Sequence, residues 1–197
     1  MSLPAIIGCT GGIGSGKTVV VKTFAGLGIP GYDCDSRAKE LYDEDAGLLE
    51  EVIRIAGSDV VTEGRLDRKM LATKIFADRN LLSRLESVVH PAVLRDFYEW
   101  RQKQNTKLVI FESAILLDKP YLHETADFVL LVTAPEELRI ERVMARDGLT
   151  REAVIQRMEN QMSDEDRRKM ADYILETNDR DAIIPQLLSL IQKWQQI

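Results

Sequence analysis

Eight consecutive residues carry the strongest chemical signal in this 197-residue chain. Gly11-Gly12-Ile13-Gly14-Ser15-Gly16-Lys17-Thr18 satisfies the pattern G-x-x-x-x-G-K-[ST] at every position. Glycines let such a loop wrap so that successive backbone N–H groups point inward at phosphate oxygens. A helix beginning near Lys17 adds its positive end. Lys17 is expected to reach the β- and γ-phosphates, and the Thr18 hydroxyl to ligate Mg²⁺. The expected nucleotide-binding residues are therefore Gly12, Ile13, Gly14, Ser15, Gly16, Lys17, Thr18 and Val19. A glycine-rich turn with no ligand is the bland alternative. The motif alone does not separate a kinase from a switch GTPase or a mechanical ATPase.

Asp33-Cys34-Asp35 stands where a second strand should end. In an open parallel sheet, the carboxyl ends of the strands line the ligand crevice. Side chains alternate faces on a strand, so both carboxylates cannot aim at one point. One division has Asp35 accept a proton from a substrate hydroxyl, with Asp33 ordering the loop or holding a water on Mg²⁺. The other makes this a turn in which Asp35 or Ser36 caps a helix over 36–41.

Arg139, Arg142 and Arg146 fall at i, i+3 and i+7, on one helical face, and Arg151, Arg157, Arg167 and Arg168 follow. Such a run is commonly a solvated face. Guanidinium groups also suit bidentate phosphate contacts, which a phosphoryl-transfer lid requires. Arg142 and Arg146 are expected to serve there. At His90-Pro91 the proline should hold His90 extended, so that two helices meet at a corner. No second His, Cys or carboxylate lies at ligand spacing from His90, which argues against a metal site. The chain lacks Asn-Lys-x-Asp, weakening a GTPase reading, and lacks the serine-hydrolase and zinc-protease motifs.

These residues need a scaffold, and composition bounds it. Hydrophobic residues make up 45% and charged residues 29%, which fits a globular chain. The net charge of −6 disfavours non-specific binding to nucleic acid or anionic membranes. Cys9 and Cys34 form neither a disulfide framework nor a Cys-x-x-Cys motif, and read as small buried residues of a reducing compartment. The apolar run 3–9 is too short to span a bilayer. A cytoplasmic protein is expected.

Short apolar runs at 5–10, 29–33, 107–111, 127–132 and 172–175 read as strands buried in a parallel sheet. Helical patterns fall at 18–27, from Pro135 toward Arg146, after Thr150, and at 181–194. Residues 36–104 are helical in pattern, with breaks at Gly57, Gly64 and Pro91. The expected fold is α/β with a five-stranded parallel sheet, and the long helical stretch between strands two and three reads as a lid-like or substrate-holding insertion.

Further residues carry a family resemblance. Thr10 to Thr18, then Leu27-Gly28, then Asp33-x-Asp35-x-x-Ala38 closely resembles the opening of dephospho-CoA kinases. His90-Pro91 follows two aliphatic residues as that family's His-Pro does. Pro135-Glu136 with the helix to Arg146 and Asp147 is similar to its lid approach. Arg157-Met158-x-x-Gln161, then Ala171-Asp172-Tyr173-Ile174 and Asn178, is similar to its last signature. The resemblance spans roughly residues 5 to 190. It implies a P-loop kinase core over 1–35, 106–135 and 170–197, with a helical acceptor-binding region over 36–105 and a small helical lid over 136–169. It implies MgATP-dependent phosphorylation of the ribose 3′-hydroxyl of dephospho-coenzyme A, with ATP and that acceptor as small-molecule partners. It also implies Asp35 as general base, Lys17, Arg142 and Arg146 as catalytic groups, and Asn178 near the adenine. Asp33, Asp35 and His90 would lie on the acceptor side. Where the family commonly has Pro-Leu-Leu-x-Glu, this chain has Ala114-Ile115-Leu116-Leu117-Asp118. The same backbone course is expected, with the acid one methylene shorter. Thr18 replaces the commoner Ser, and Val19 the usual Thr. Two other readings fit the motif: a P-loop kinase for another alcohol, and an NTP-hydrolysing switch.

Overall fold

The computed structural model describes residues 3–194. In chain order, Ala5–Thr10 (β1) leads through the glycine loop to Lys17–Gly26 (α1), then Gly31–Asp33 (β2). Cys34–Glu44 (α2), Ala46–Ala56 (α3), a 3₁₀ turn at Ser58–Val60, Val61–Thr62 (β3), Arg65–Leu66 (β4), Arg68–Ala77 (α4) and Arg79–Gln102 (α5) follow. Leu108–Glu112 (β5), Pro120–His123 (α6), Phe128–Thr133 (β6), Glu136–Asp147 (α7), Arg151–Glu159 (α8), Asp164–Met170 (α9), Tyr173–Glu176 (β7) and Ile183–Trp194 (α10) complete it. The chain divides into two compact units, one being Cys34–Lys103 and the other the remaining described residues.

In the larger unit five parallel strands run in the order β2-β5-β1-β6-β7, the expected α/β core. The central strands are buried along nearly their whole length, which is why they read as unbroken apolar runs. Val20, Val21 and Phe24 of α1 and Leu187, Ile191 and Trp194 of α10 pack in one cluster with Ile7, Ile110, Leu130 and Leu175 of the sheet.

Three strands lie one residue later than their apolar runs suggest, and the last two show a physical reason. Asp127 and Asp172 stand just before β6 and β7. The Ile6 N–H donates to the Asp127 carboxylate and the Val129 N–H to that of Asp172, each at 2.7 Å. Each aspartate's own N–H donates back to the same neighbouring residue's carbonyl. The two carboxylates thus satisfy strand N–H groups at the start of the ladder. Asp172→Ala orphans the Val129 amide and is expected to cost about 2 kcal/mol. In a chain of this size a thermal melt should read that as a fall of about 4–8 °C.

In the smaller unit, α5 runs unbroken through His90 and Pro91. This corrects the expected corner. Pro91 removes a hydrogen bond to the Ser87 carbonyl, an internal-proline cost of about 3 kcal/mol. Leu85, Val89, Ala92, Val93 and Phe97 are all buried on one face of the helix. Apolar burial at roughly 1.5–3 kcal/mol per large side chain outweighs the lost bond. Asp96 of α5 also takes a two-pronged contact from Arg37 of α2, at 3.0 and 2.9 Å. Gly64 marks a tight β3–β4 hairpin with Glu63, both at positive φ (76° and 52°), where only a break was expected.

Strand β2 passes directly into α2 at Cys34. Asp35 and Ser36 therefore lie inside the first helical turn, not ahead of it as caps. Pro135 likewise precedes α7, whereas Thr150 caps α8 as expected, accepting from the Ala153 N–H.

Candidate active site

The glycine loop links β1 to α1, and its backbone carbonyls account for its shape. Lys17 Nζ donates to the Gly11 carbonyl at 2.7 Å. The Ser15 N–H donates to Gly12 at 3.2 Å. Arg139 Nε donates to Ile13 at 2.9 Å, Arg142 Nη1 to Gly14 at 3.4 Å, and Thr177 Oγ1 to Ser15 at 2.7 Å. Every carbonyl from Gly11 to Ser15 is thus engaged by a donor of this chain. Held in this way, the carbonyls fix the course of the loop into the N-terminus of α1.

Two glycines are required by geometry. Gly14 sits at φ 78° and Gly16 at φ 89°, a region that L side chains rarely adopt. A Cβ on Gly14 would also come 2.5 Å from the Arg139 carbonyl oxygen. The Ser15 hydroxyl is buried with no hydrogen-bond partner. A glycine-built loop at a helix N-terminus matches a polyphosphate. Thr18 and Val19 lie exposed in the first turn of α1.

The arginines of α7 diverge. Arg142 reaches the loop and bonds Thr177 Oγ1 at 2.9 Å and Asp179 at 3.0 Å. Arg146 is exposed and pairs with its neighbour Asp147 at 2.7 and 3.0 Å, a contact that holds the Asp147 carboxyl below its ordinary range. Arg139 is buried against the loop (5% exposed) and Arg167 more deeply still (1%). Residue type did not distinguish these two from the solvated set. Arg139 precedes Ile140 and lies beside the buried stripe of Ile140 and Val143, which was the available signal. Thr177 was also missed, although it immediately follows β7 at the sheet's carboxyl end, where ligands bind. Asn178 folds onto its own loop, accepting from the Arg180 and Asp181 N–H groups and donating to the Asp181 carboxylate.

Glu112 was a third omission, signalled by an acid closing the apolar run of β5. It pairs in register with Asp33 on one side and Cys9 on the other. Partners at one level of adjacent strands share a face, so Asp33 and Glu112 stand side by side at the carboxyl end of the sheet. Burial, and then the Glu112 charge, push the Cys9 thiol up to about 12, against a smaller opposing effect of Lys17. Cys9 is therefore expected to resist thiol reagents at pH 8 until the chain unfolds, as an Ellman titration with and without denaturant would read.

In the smaller unit, Asp35 is exposed and His90 half-buried. In the Ala114–Asp118 stretch, Leu116 and Leu117 are buried and Asp118 is exposed.

The family model for dephospho-CoA kinase matches residues 5–182. This chain belongs to the dephospho-CoA kinase family. A dephospho-CoA kinase of Porphyromonas gingivalis is 40% identical over 187 residues, covering 94% of this chain and 92% of that protein. A crystal structure of a Thermus thermophilus protein superposes with a TM-score of 0.86 at 36% identity, covering 98% of each chain. The dephospho-CoA kinase of Campylobacter jejuni superposes at 0.69 with 25% identity, covering 95% of this chain and 96% of that one. Among the described residues no helix is long and apolar enough to cross a membrane.

Proposed function

We propose the following division of labour for the family's reaction, transfer of the ATP γ-phosphate to the ribose 3′-hydroxyl of dephospho-coenzyme A. The chain is an ATP-dependent kinase of that family. The loop 11–18 holds the β- and γ-phosphates, and Lys17 carries charge as the phosphoryl group moves. Asp35 accepts the hydroxyl proton. Arg142 and Arg146 serve the phosphates from the lid region 136–169. Asn178 borders the adenine, and His90 the acceptor within the helical region 36–105.

The Thr18 hydroxyl, with Asp33 and Glu112 acting through water, would hold Mg²⁺. When bound, the metal would neutralise charge on the nucleotide phosphates. The donors are hard oxygens, as Mg²⁺ prefers. Among the described residues no group of three or more His, Cys, Asp or Glu side chains could hold a metal by itself. That supports a metal carried largely by the nucleotide phosphates. A cytoplasmic location is supported by two buried cysteines that are not joined in a disulfide.

The observation that carries this reading is the loop whose five carbonyls, Gly11 to Ser15, are all engaged by donors of this chain. The test is phosphoryl transfer from MgATP to dephospho-coenzyme A, with product mass, an acceptor-free control and a chelator control. Product requiring both acceptor and metal is expected. ATP turnover indifferent to the acceptor would overturn the acceptor assignment.

A further inference from the structure

Ile13 is held on three sides by the α7–α9 segment. Its N–H donates to Gln161 Oε1 at 2.9 Å and its carbonyl accepts from Arg139 Nε at 2.9 Å. Its side chain packs against the cluster of Ile140, Val143 and Val154. Beside it, Arg139 Nη2 lies 2.1 Å from where a Cβ on Gly12 would be, and Arg167 Nη1 lies 3.1 Å from the same point. Two buried guanidinium groups therefore converge on one glycine of the loop.

Their charges do not balance. Asp164 is the carboxylate they share, at 2.6 Å from Arg139 Nη1 and 3.3 Å from Arg167 Nη1. Thr133 Oγ1 donates to the same carboxylate at 3.2 Å. Glu136 and Glu159 line the adjoining cavity of about 350 Å³ with Arg139, yet neither forms an ion pair with either arginine. Arg167 Nε is buried with no partner. Burying two cations against one anion is costly when donors go unmatched. Such an imbalance destabilises an isolated fold, but beside a polyanion site it favours the ligand, because charges in a poorly solvated setting are weakly screened.

We propose that Arg139 and Arg167, bridged by Asp164, are positioning residues for phosphoryl transfer that clamp Gly12–Ile13 and lend the loop an excess positive charge favouring the more highly charged nucleotide. Arg139 orients the Ile13 peptide directly. Arg167 keeps Asp164 from neutralising Arg139. The pair acts through the loop, so it governs the nucleotide and not the acceptor.

Calorimetry with MgADP and a non-hydrolysable MgATP analogue, alongside steady-state kinetics, tests this. Arg167→Met is expected to weaken the analogue about tenfold and MgADP about threefold, with KM for dephospho-coenzyme A unchanged. Arg167→Lys keeps the charge and should keep the wild-type preference between the two nucleotides. A merely structural role makes both nucleotides lose equally and makes Lys no better than Met; either result overturns the proposal. If Arg167→Met fails to fold, Asp164→Asn carries the test. It removes the negative charge and should raise the preference for the analogue, and an unchanged or lowered preference overturns the proposal.

Discussion

Lys17→Ala is expected to lower kcat about 10³-fold while the chain remains folded. Charge in phosphoryl transfer spreads over the oxygens of the moving group, and catalysis is mostly its stabilisation by fixed cations. In the proposed reaction Lys17 is such a cation, and its ammonium is already held at the loop by the Gly11 carbonyl. A preset donor needs no reorganisation as charge develops, so its removal falls mainly on the transition state. Nucleotide affinity should fall less than kcat, because the loop amides remain. The side chain is only half-buried, so truncation opens no core cavity. Single-turnover rates at saturating nucleotide, with a melt to show an intact fold, would check this. A kcat within tenfold of wild type would remove Lys17 from the transition state.

The second large effect is expected at Asp35. Asp35→Asn should lower kcat about 10²-fold with ATP affinity within twofold of wild type. An amide keeps the size of the side chain and loses the capacity to take a proton. General bases contribute least where the transition state is loose, because little proton removal is needed before the P–O bond to the leaving group breaks. Asp35 is exposed in the first turn of α2, so the substitution should leave the melt nearly unchanged. Asp33→Asn provides the contrast. If Asp33 serves Mg²⁺, that variant should raise the metal concentration needed for half-maximal rate, which Asp35→Asn should not. Wild-type turnover in Asp35→Asn would end the assignment of the base.

Much of the fold was legible because parallel strands buried on both faces leave continuous apolar runs. The runs at 5–10, 107–111 and 127–132 therefore found β1, β5 and β6 to within a residue. The offset at the last two strands came from Asp127 and Asp172, whose carboxylates serve the neighbouring strand and so cannot be read along one strand. Pro91 misled for a related reason. Its local preference is visible in sequence, whereas the buried face of α5 that overrides it is a property of the helical unit. The glycine loop was legible because its chemistry is local: glycines, a lysine and a hydroxyl at fixed spacing.

By itself the sequence determined the nucleotide loop, the alternation of strands and helices, and the family, since each is written in contiguous residues or in their order. Tertiary structure alone separated the arginines. Arg139 and Arg167 are buried over Gly12, Arg142 reaches the loop beside Thr177, and Arg146 pairs with Asp147 at the surface. It also brought Glu112 level with Asp33, through pairing of strands 79 positions apart in the chain. Spacing along a helix says which side chains share a face. Which carbonyl, carboxylate or solvent that face meets depends on partners far away in sequence, and only folding supplies them.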